Sequence, residues 1–374
     1  MPKRFIKGGA GGFSAMSLVW FALVMSCVVT MPSCLPASQE GDTVGNEPQE
    51  DVSFNSYIWI SPEELSTLPM SGKAWDNLLE YAHKSTVAPD LSNQNDMVNV
   101  CVLAKALVFA RTGEAHYRDE VVATCMAAIG TEDGGRTLAL GRELIAYVLA
   151  ADLVRMPQSE NEIFEKWLRA CLTKRLSGRT LVSTHEDRPN NWGTHAGASR
   201  VAVAAYLRDA QELERCARVL RGYLGKRDRY TGFKYGDLSW QADPKHPVGI
   251  NPKGSKKGAF SIDGVIPDDQ RRGGSFSWPP PKENYVYEAL QGVLSQAVIL
   301  DRAGYDVWSW GDKAILRSYD WLHSEAGFPA EGDDAWQSSI INYYYGRDFP
   351  VVIPSKPGKG VGFADWTHAG VRSH

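Results

Sequence analysis

The chain has 374 residues, 43% of them hydrophobic, which is enough to bury one large core or two modest ones. Its formal net charge of −4 at pH 7 gives no indication of a nucleic-acid partner, which would require a strongly basic surface. A partner that is an acidic polymer would need a local basic groove, and the lysines and arginines between residues 226 and 272 could supply one.

The first 37 residues have the features of an export signal. Three basic residues among the first seven precede an apolar run, Ser17–Val29, that is too short to favour a transmembrane span. The four residues ending at Cys27 are similar to a bacterial lipobox, which would make Cys27 a lipid anchor. Conventional cleavage near Ala37 is the alternative. We therefore predict an exported protein that is periplasmic, anchored to the outer membrane as a lipoprotein, or secreted.

Residues 38–54 are polar and acidic, and their composition predicts a disordered linker. The remaining residues, 55–374, are expected to form a single domain. Its first helix is predicted to begin at Ser61, which offers an N-cap and is followed by Pro62 and two glutamates.

Beyond this point apolar residues recur at helical spacing in segments that glycine or proline separates. A capping box at Ser159 and Glu162 predicts one helix that ends at Gly178. The other predicted helices cover residues 97–111, 117–129, 137–154, 193–207, 210–224, 284–303 and 307–322. No strands alternate convincingly with them, so a βαβ architecture is not expected. The pattern predicts an all-α fold, an α/α toroid.

Two stretches lack the helical pattern. Residues 225–282 are rich in glycine, proline and aromatic side chains, and so long an irregular segment in a compact chain is usually functional or disordered. The aromatic content favours a functional loop over one face of the toroid. The tail, 335–374, is also predicted to be loop-like. The four cysteines beyond the leader have no metal-ligand spacing and are expected to be buried, with one disulfide as the alternative.

The first candidate site is the segment 188–195, which holds Arg188, Asn190, Asn191, Trp192 and His195. Two amides, an indole, an imidazole and a guanidinium so close together are typical of a sugar site, where planar donors meet hydroxyls and carboxylates and rings stack on sugar faces. The alternative is a turn or helix cap formed by the two asparagines.

A second cluster follows in residues 263–273, where Asp-Gly-Val-Ile-Pro precedes Arg271, Arg272 and Gly273. After an insertion the chain continues with Tyr285 and then Tyr287-Glu-Ala-Leu. In this order the motifs resemble the alginate lyase superfamily, whose members carry Asn-Asn-His or Asn-Asn-Trp, then Asp-Gly-x-x-Pro-x-x-x-x-Arg-Gly, then Tyr-x-x-x-Ala-Leu. The resemblance covers about residues 190–300 and indicates a divergent branch near the glucuronan-type lyases.

The resemblance implies an incomplete α/α barrel and a β-elimination that cleaves a uronic-acid polymer, either alginate (polymannuronate) or glucuronan. Position by position, it implies that Asn191 neutralises the substrate carboxylate, that Tyr285 is the catalytic tyrosine and that Arg272 helps to hold the site. Two departures are visible. Trp192 stands where histidine is common, leaving His195 as the nearest histidine, and residues 275–282 stretch the spacing between arginine and tyrosine.

The chemistry explains why these residue types suit the reaction. Donors that neutralise the carboxylate stabilise the enolate-like transition state, and no metal or other cofactor is then expected. A tyrosine beside a cation can act as both base and acid when proton and leaving group lie on one face of the sugar. When they lie on opposite faces, a histidine is needed. The candidates for it are His195, His246 and, less favoured, His185.

Further side chains are expected to contact the substrate or to replace those above. Tyr287 is the alternative to Tyr285 as the catalytic tyrosine, and each tryptophan could equally belong to the core. The predicted substrate-binding residues are Asn190, Trp192, Arg188, Arg271, Tyr287, Trp240 and Trp278.

Two other classes of protein remain open. An inverting glycoside hydrolase on a similar toroid would need two carboxylates across the cleft, for which Asp268 with Asp269, or Asp333 with Asp334, are available. A non-catalytic glycan-binding lipoprotein would bind an acidic polysaccharide without turnover. The prediction favoured by the motifs is a polysaccharide lyase whose partner is its acidic substrate. The oligomeric state is left open.

Overall fold

The computed structural model describes residues 53–54 and 57–372. The expected leader, and the expected linker as far as residue 52, lie outside these residues. The helices of the described part are α1 (Pro62–Ser66), α2 (Lys73–Ala82), α3 (Val98–Thr112), α4 (Ala115–Ala128), α5 (Thr137–Val154), α6 (Gln158–Thr173), α7 (Leu181–Asp187), α8 (Asn191–Tyr206), α9 (Ala210–Tyr223), α10 (Pro267–Gln270), α11 (Val286–Arg302), α12 (Trp310–Asp320), α13 (Gln337–Tyr345) and α14 (Ala364–Thr367). Its strands are β1 (Lys256–Lys257) and β2 (Phe260–Ser261), paired antiparallel.

The helices divide into two layers by their burial. Every residue of α5 is buried, and α3, α8 and α11 are buried over most of their surface, so these four form the inner layer. In contrast, α2, α6 and α9 each bury a single apolar face and leave charged side chains in solvent. An inner layer of helices covered by an outer one is the arrangement of a helical toroid, which confirms the predicted all-α fold class.

The inner helices form a row in which α3 packs on α5, α5 on α8, and α8 on α11. Small residues allow the close approach. A Cβ added at Gly292 of α11 would lie 2.4 Å from the carbonyl carbon of Thr194 in α8. One added at Gly141 of α5 would lie 2.9 Å from the backbone nitrogen of Ala196. Backbones therefore touch where α8 crosses its two neighbours.

Several predicted details differ from the structure. The Ser159–Glu162 capping box is wrong, because α6 begins after Pro157 and the Ser159 hydroxyl donates to Glu160 instead. Two helices were missed, α2 and the short α7, and the tail contains α13 and α14 where only loop was expected. The irregular segment was predicted correctly. Residues 225–285 hold only the two-residue hairpin strands, α10 and one 3-10 turn.

The four cysteines of the described part are buried free thiols, as expected for small core residues: Cys101, Cys125, Cys171 and Cys216. Among residues 57–372, no helix is both long enough and apolar enough to cross a bilayer.

Candidate active site

The N-terminal ends of the four inner helices meet on one face of the toroid. Near the start of α5, Arg142 contacts Glu288 at the start of α11, and Glu288 in turn contacts His195 at the start of α8. Asn99, at the start of α3, donates its Nδ2 to the carbonyl of Lys359, whose own N–H donates to Gln291 of α11. Because a helix N-terminus carries partial positive charge, this face favours an anion.

The start of α8 is built by the two asparagines. Asn190 is the N-cap, since its Oδ1 accepts from the backbone N–H of Trp192 at 3.2 Å. Its Nδ2 donates to Asp268 at 2.9 Å, so both ends of this buried amide are occupied. Asn190 thus takes the helix-cap role that the sequence left as the alternative, and it holds α8 to the segment before Arg271.

Asn191 differs from its neighbour because its amide nitrogen remains available. Its Oδ1 lies 3.4 Å from Nη1 of Arg272, and its backbone N–H donates to Asp269 at 3.2 Å. Within residues 57–372 its Nδ2 has no hydrogen-bond partner, although the residue as a whole is buried. An oriented N–H₂ group beside a guanidinium is a suitable pair of donors for a carboxylate.

Tyr285 lies next to this pair of donors. The guanidinium carbon of Arg272 is 4.2 Å from the centre of the Tyr285 ring, and the tyrosine side chain is 42% exposed at the N-cap of α11. Tyr287 is placed differently, because it is buried and its hydroxyl donates to the carbonyl of Phe328 at 2.7 Å. Of the two tyrosines, only Tyr285 therefore presents its ring at the cluster.

His195 contacts a carboxylate that the sequence did not single out. The imidazole is 3% exposed, and its Nε2 lies 3.4 Å from Oε2 of Glu288. The same oxygen accepts from Nη2 of Arg142, which is itself buried. Burial lowers the pKa of His195, and the nearby Arg142 adds to this effect, whereas Glu288 opposes it. The histidine is therefore neutral in the resting site.

Asn191, His195, Arg272, Tyr285 and Glu288 form one cluster, here called the circuit. Arg272 joins Tyr285 to Asn191, and Glu288 lies against His195. Asn191 and His195 are four residues apart on α8, while Tyr285 and Glu288 are three apart at the start of α11, so each pair shares one helix face. The structure thus brings together the four predicted residues Asn191, His195, Arg272 and Tyr285.

Two buried aspartates next to the circuit, Asp268 and Asp269, accept hydrogen bonds from backbone N–H groups and do not face each other across a cleft. Asp268 accepts from Nε of Arg271 at 2.8 Å and from the N–H of Gly236, so Arg271 serves a salt bridge. Asp269 is fully buried, and this burial raises its pKa well above the ordinary value. Neither aspartate has the exposure that a hydrolase carboxylate needs.

The other predicted residues are spread over the surroundings. Arg188 stacks on Trp192 with its guanidinium carbon 5.0 Å from the ring centre, and both are partly exposed. Trp240 is buried, donates to the carbonyl of Gly274 and packs on Phe276, which makes it a core residue and not a sugar platform.

Trp278 and the two remaining histidines lie elsewhere in the contact network. Trp278 stacks on the exposed Phe260 of β2 at 5.0 Å between ring centres. His246 is exposed and binds Asp243 at 2.7 Å, and His185 is buried beside Arg200. The described contacts link neither histidine to the circuit, so of the three candidate histidines only His195 belongs to it.

Sequence reasoning missed Glu288, Arg142 and Lys359. Lys359 pairs with Asp333 at 3.4 Å and its charge contributes to lowering the pKa of both Glu288 and His195. Glu288 belongs to the Tyr287-Glu-Ala-Leu motif and could have been found there, because it lies one helical turn after Tyr285. Arg142 and Lys359 carry no local signal, since each is distant in sequence from its partners.

Two further features of the described part bear on the site. A cavity of about 610 Å³ is lined by residues of α2, α3 and α4, including Lys105 and Tyr117, and shares none of its lining with the circuit. Among residues 57–372 no group of three or more histidine, cysteine, aspartate or glutamate side chains is arranged to hold a metal ion.

The alginate lyase family model matches residues 118–228 of this chain. Over this stretch the chain is similar to the alginate lyase superfamily. The match supports a polysaccharide lyase. The matched part runs from α4 to just beyond α9 and includes Asn191 and His195, whereas Arg272, Tyr285 and Glu288 lie after it. Among curated proteins, none matches the chain.

Proposed function

We propose that this protein is a polysaccharide lyase that cleaves a uronic-acid polymer, either alginate (polymannuronate) or glucuronan, by β-elimination at the circuit of Asn191, Arg272, Tyr285, His195 and Glu288. The observation that carries the proposal is the placement of the Asn191 amide and the Arg272 guanidinium beside an exposed tyrosine. Together they offer donors for a carboxylate within reach of a group that can exchange a proton.

The first step requires a more acidic proton at C5 of the uronate. In the proposal, Nδ2 of Asn191 and the guanidinium of Arg272 donate to the carboxylate oxygens and stabilise the negative charge that develops there as the C5–H bond breaks. The N-terminal ends of α8 and α11 add partial positive charge in the same direction. Lys359 supplies a further cation on this face.

The proton and the leaving group are handled by Tyr285 and His195. A base takes the C5 proton, the C4–O4 bond breaks, a C4=C5 double bond forms, and an acid protonates the departing oxygen. Where proton and oxygen lie on one face of the sugar, Tyr285 serves as base and acid in turn. Where they lie on opposite faces, the neutral His195 takes the proton and Tyr285 protonates the oxygen.

The test follows the unsaturated product by its ultraviolet absorbance on polymannuronate, polyguluronate, glucuronan and a neutral glucan. We expect a rise on at least one polyuronate and none on the glucan. Replacing Tyr285 by phenylalanine should reduce the rate by about 10²- to 10⁴-fold, as for loss of a general acid–base group. Tyr287→Phe is the matched control, because it removes a buried hydroxyl that binds only the Phe328 carbonyl.

Two results would contradict the proposal. New reducing ends without absorbance would indicate hydrolysis, and binding of polyuronate without turnover would indicate a glycan-binding protein. An equal loss of rate in the Tyr285 and Tyr287 variants would remove the assignment of Tyr285 while leaving elimination itself intact.

The proposal also places the protein outside the cytoplasm, where such polymers occur. It rests on the basic and apolar N-terminal sequence, with Cys27 as the site of a lipid anchor. Mass spectrometry of the mature protein tests this directly. A lipid-modified N-terminal cysteine supports the anchor, cleavage near Ala37 supports conventional secretion, and an intact N-terminus contradicts export.

A further inference from the structure

Glu288 occupies the point where three inner helices meet. It lies at the start of α11, and its Oε2 contacts Nε2 of His195 from α8 at 3.4 Å and Nη2 of Arg142 from α5. Its side chain is 21% exposed, whereas those of Arg142 and His195 are 6% and 3% exposed. Glu288 is therefore the most exposed of the three side chains.

The Glu288 carboxylate is charged at neutral pH. Burial alone would raise the pKa of Glu288, but the hydrogen bond with His195 and the charge of Arg142 outweigh it and lower the pKa to about 2. A carboxylate oxygen can only accept a hydrogen bond, so it is Nε2 of the neutral histidine that carries the proton. Nδ1 is then left as the basic nitrogen of the ring.

We propose that Glu288 is a positioning residue that holds His195 in the tautomer with its proton on Nε2 and stabilises the imidazolium after Nδ1 has taken a proton. The proposal rests on the proposed function in assigning His195 a role in elimination. Arg142 fixes the carboxylate, so that the charge does not rotate away from the imidazole as the proton arrives.

Other charged groups lie near His195 and Glu288, and their effects on the protonation of His195 must be distinguished from the effect of Glu288. Arg142 and Lys359 oppose protonation of His195. Three carboxyls near Glu288 are also present: burial raises the pKa of Glu283 to about 7 and of Asp334 to about 8, and Asp333 lies against Lys359. The charge of Glu288 contributes to the raised pKa of Glu283 and Asp334, so a signal from the His195 ring itself is needed beside the pH profile.

The experiment compares Glu288→Gln, Glu288→Asp and wild type in the pH profile of kcat/KM for elimination. Loss of the carboxylate destabilises the imidazolium, so the acid limb of the Glu288→Gln profile should move to lower pH by about one unit or more. At the optimum kcat should fall by about 10- to 100-fold, the usual effect of losing an orienting partner, with KM within about twofold. Glu288→Asp keeps the charge and should return the limb toward its wild-type position.

Glu132→Gln is the matched control. Glu132 is a buried carboxylate that pairs with Lys174 at 2.6 Å and accepts from Trp167, and its described hydrogen bonds and ion pairs involve no residue of the circuit. Its loss should lower stability and leave the position of the acid limb unchanged. A Glu288→Gln variant with an unmoved limb and wild-type kcat would overturn the proposal, as would a loss of rate that Glu288→Asp does not partly restore.

A second measurement keeps the inference independent of elimination. Nitrogen-15 NMR of the imidazoles, with the His195 signal assigned from a His195→Gln variant, reports the tautomer directly. We expect protonated Nε2 in wild type and a mixture of tautomers in Glu288→Gln. If wild type produces no unsaturated product but shows this tautomer change, the proposed function fails and the positioning role stands. A His195 tautomer that is identical in both proteins overturns the positioning role.

Discussion

The contact between α8 and α11 sets the geometry of the whole circuit, and Gly292 is the residue that permits it. A Cβ at this position would lie 2.4 Å from the carbonyl carbon and 2.6 Å from the carbonyl oxygen of Thr194, and 2.6 Å from the backbone nitrogen of His195. These are backbone atoms of a buried helix, so they cannot rotate away. Relief to an ordinary contact of about 3.4 Å requires the helices to separate by about 1 Å.

The cost of Gly292→Ala follows from two opposing terms. Overpacking of this kind destabilises a protein by about 1–3 kcal/mol, and a clash with backbone belongs at the upper end of that range. Alanine in place of glycine inside a helix returns about 1 kcal/mol. We therefore expect a net loss of about 2 kcal/mol in the free energy of unfolding, measured by urea denaturation.

The same separation should affect activity. Thr194 is adjacent to His195, and Gly292 is one helical turn beyond Glu288, so a shift of about 1 Å changes the His195–Glu288 contact directly. A misplacement of this size can cost about 10²-fold in rate. Ala127→Leu, on the exposed face of α4, is the control and should change stability by less than about 0.5 kcal/mol. A Gly292→Ala variant with wild-type stability and wild-type kcat would refute the reasoning.

Two further predictions concern charge at the site. Glu288 has a pKa of about 2 in the folded protein and about 4.5 ordinarily, so it contributes stability that is fully present above pH 4.5 and is lost as the pH falls toward 2. The gap in unfolding free energy between wild type and Glu288→Gln should be at most about 3 kcal/mol near neutrality and should close between pH 4.5 and 2, as measured by urea titrations at several pH values. A gap that is independent of pH would show that the loss comes from packing and not from charge. Asn191→Asp keeps the shape of the side chain but sets a carboxylate against the substrate carboxylate, and we expect a loss of at least about 100-fold in kcat/KM with folding preserved. Asn191→Ser, which removes the amide without adding charge, should be impaired less, and equal activity of the Asp variant and wild type would exclude contact of Asn191 with the uronate.

The sequence by itself determined the fold class and three residues of the candidate site. Apolar residues at helical spacing identified most of the long helices, because a helix that buries one face must repeat every 3.6 residues. The local motifs carried Asn191, Arg272 and Tyr285, since each belongs to a short run with an unusual density of polar and aromatic side chains. Helix starts were less certain, as the false capping box at Ser159 shows.

Only the tertiary structure decided between neighbouring candidates. Tyr285, the favoured catalytic tyrosine, and Tyr287, its alternative, are two residues apart, yet one is exposed beside Arg272 and the other is buried against Phe328. The sequence left Trp240 as either a sugar platform or a core residue, and its burial shows that it is a core residue. Burial depends on which helices and loops cover a residue, and no local pattern encodes that.

The contacts of Glu288 with Arg142 and His195 were also visible only in the folded structure. Arg142 and Glu288 are 146 residues apart, and Glu288 is 93 residues from His195. Contacts between such distant positions leave no period or spacing in a single sequence. They exist because α5, α8 and α11 begin on the same face of the toroid and pack closely enough, through glycine, for their first turns to touch.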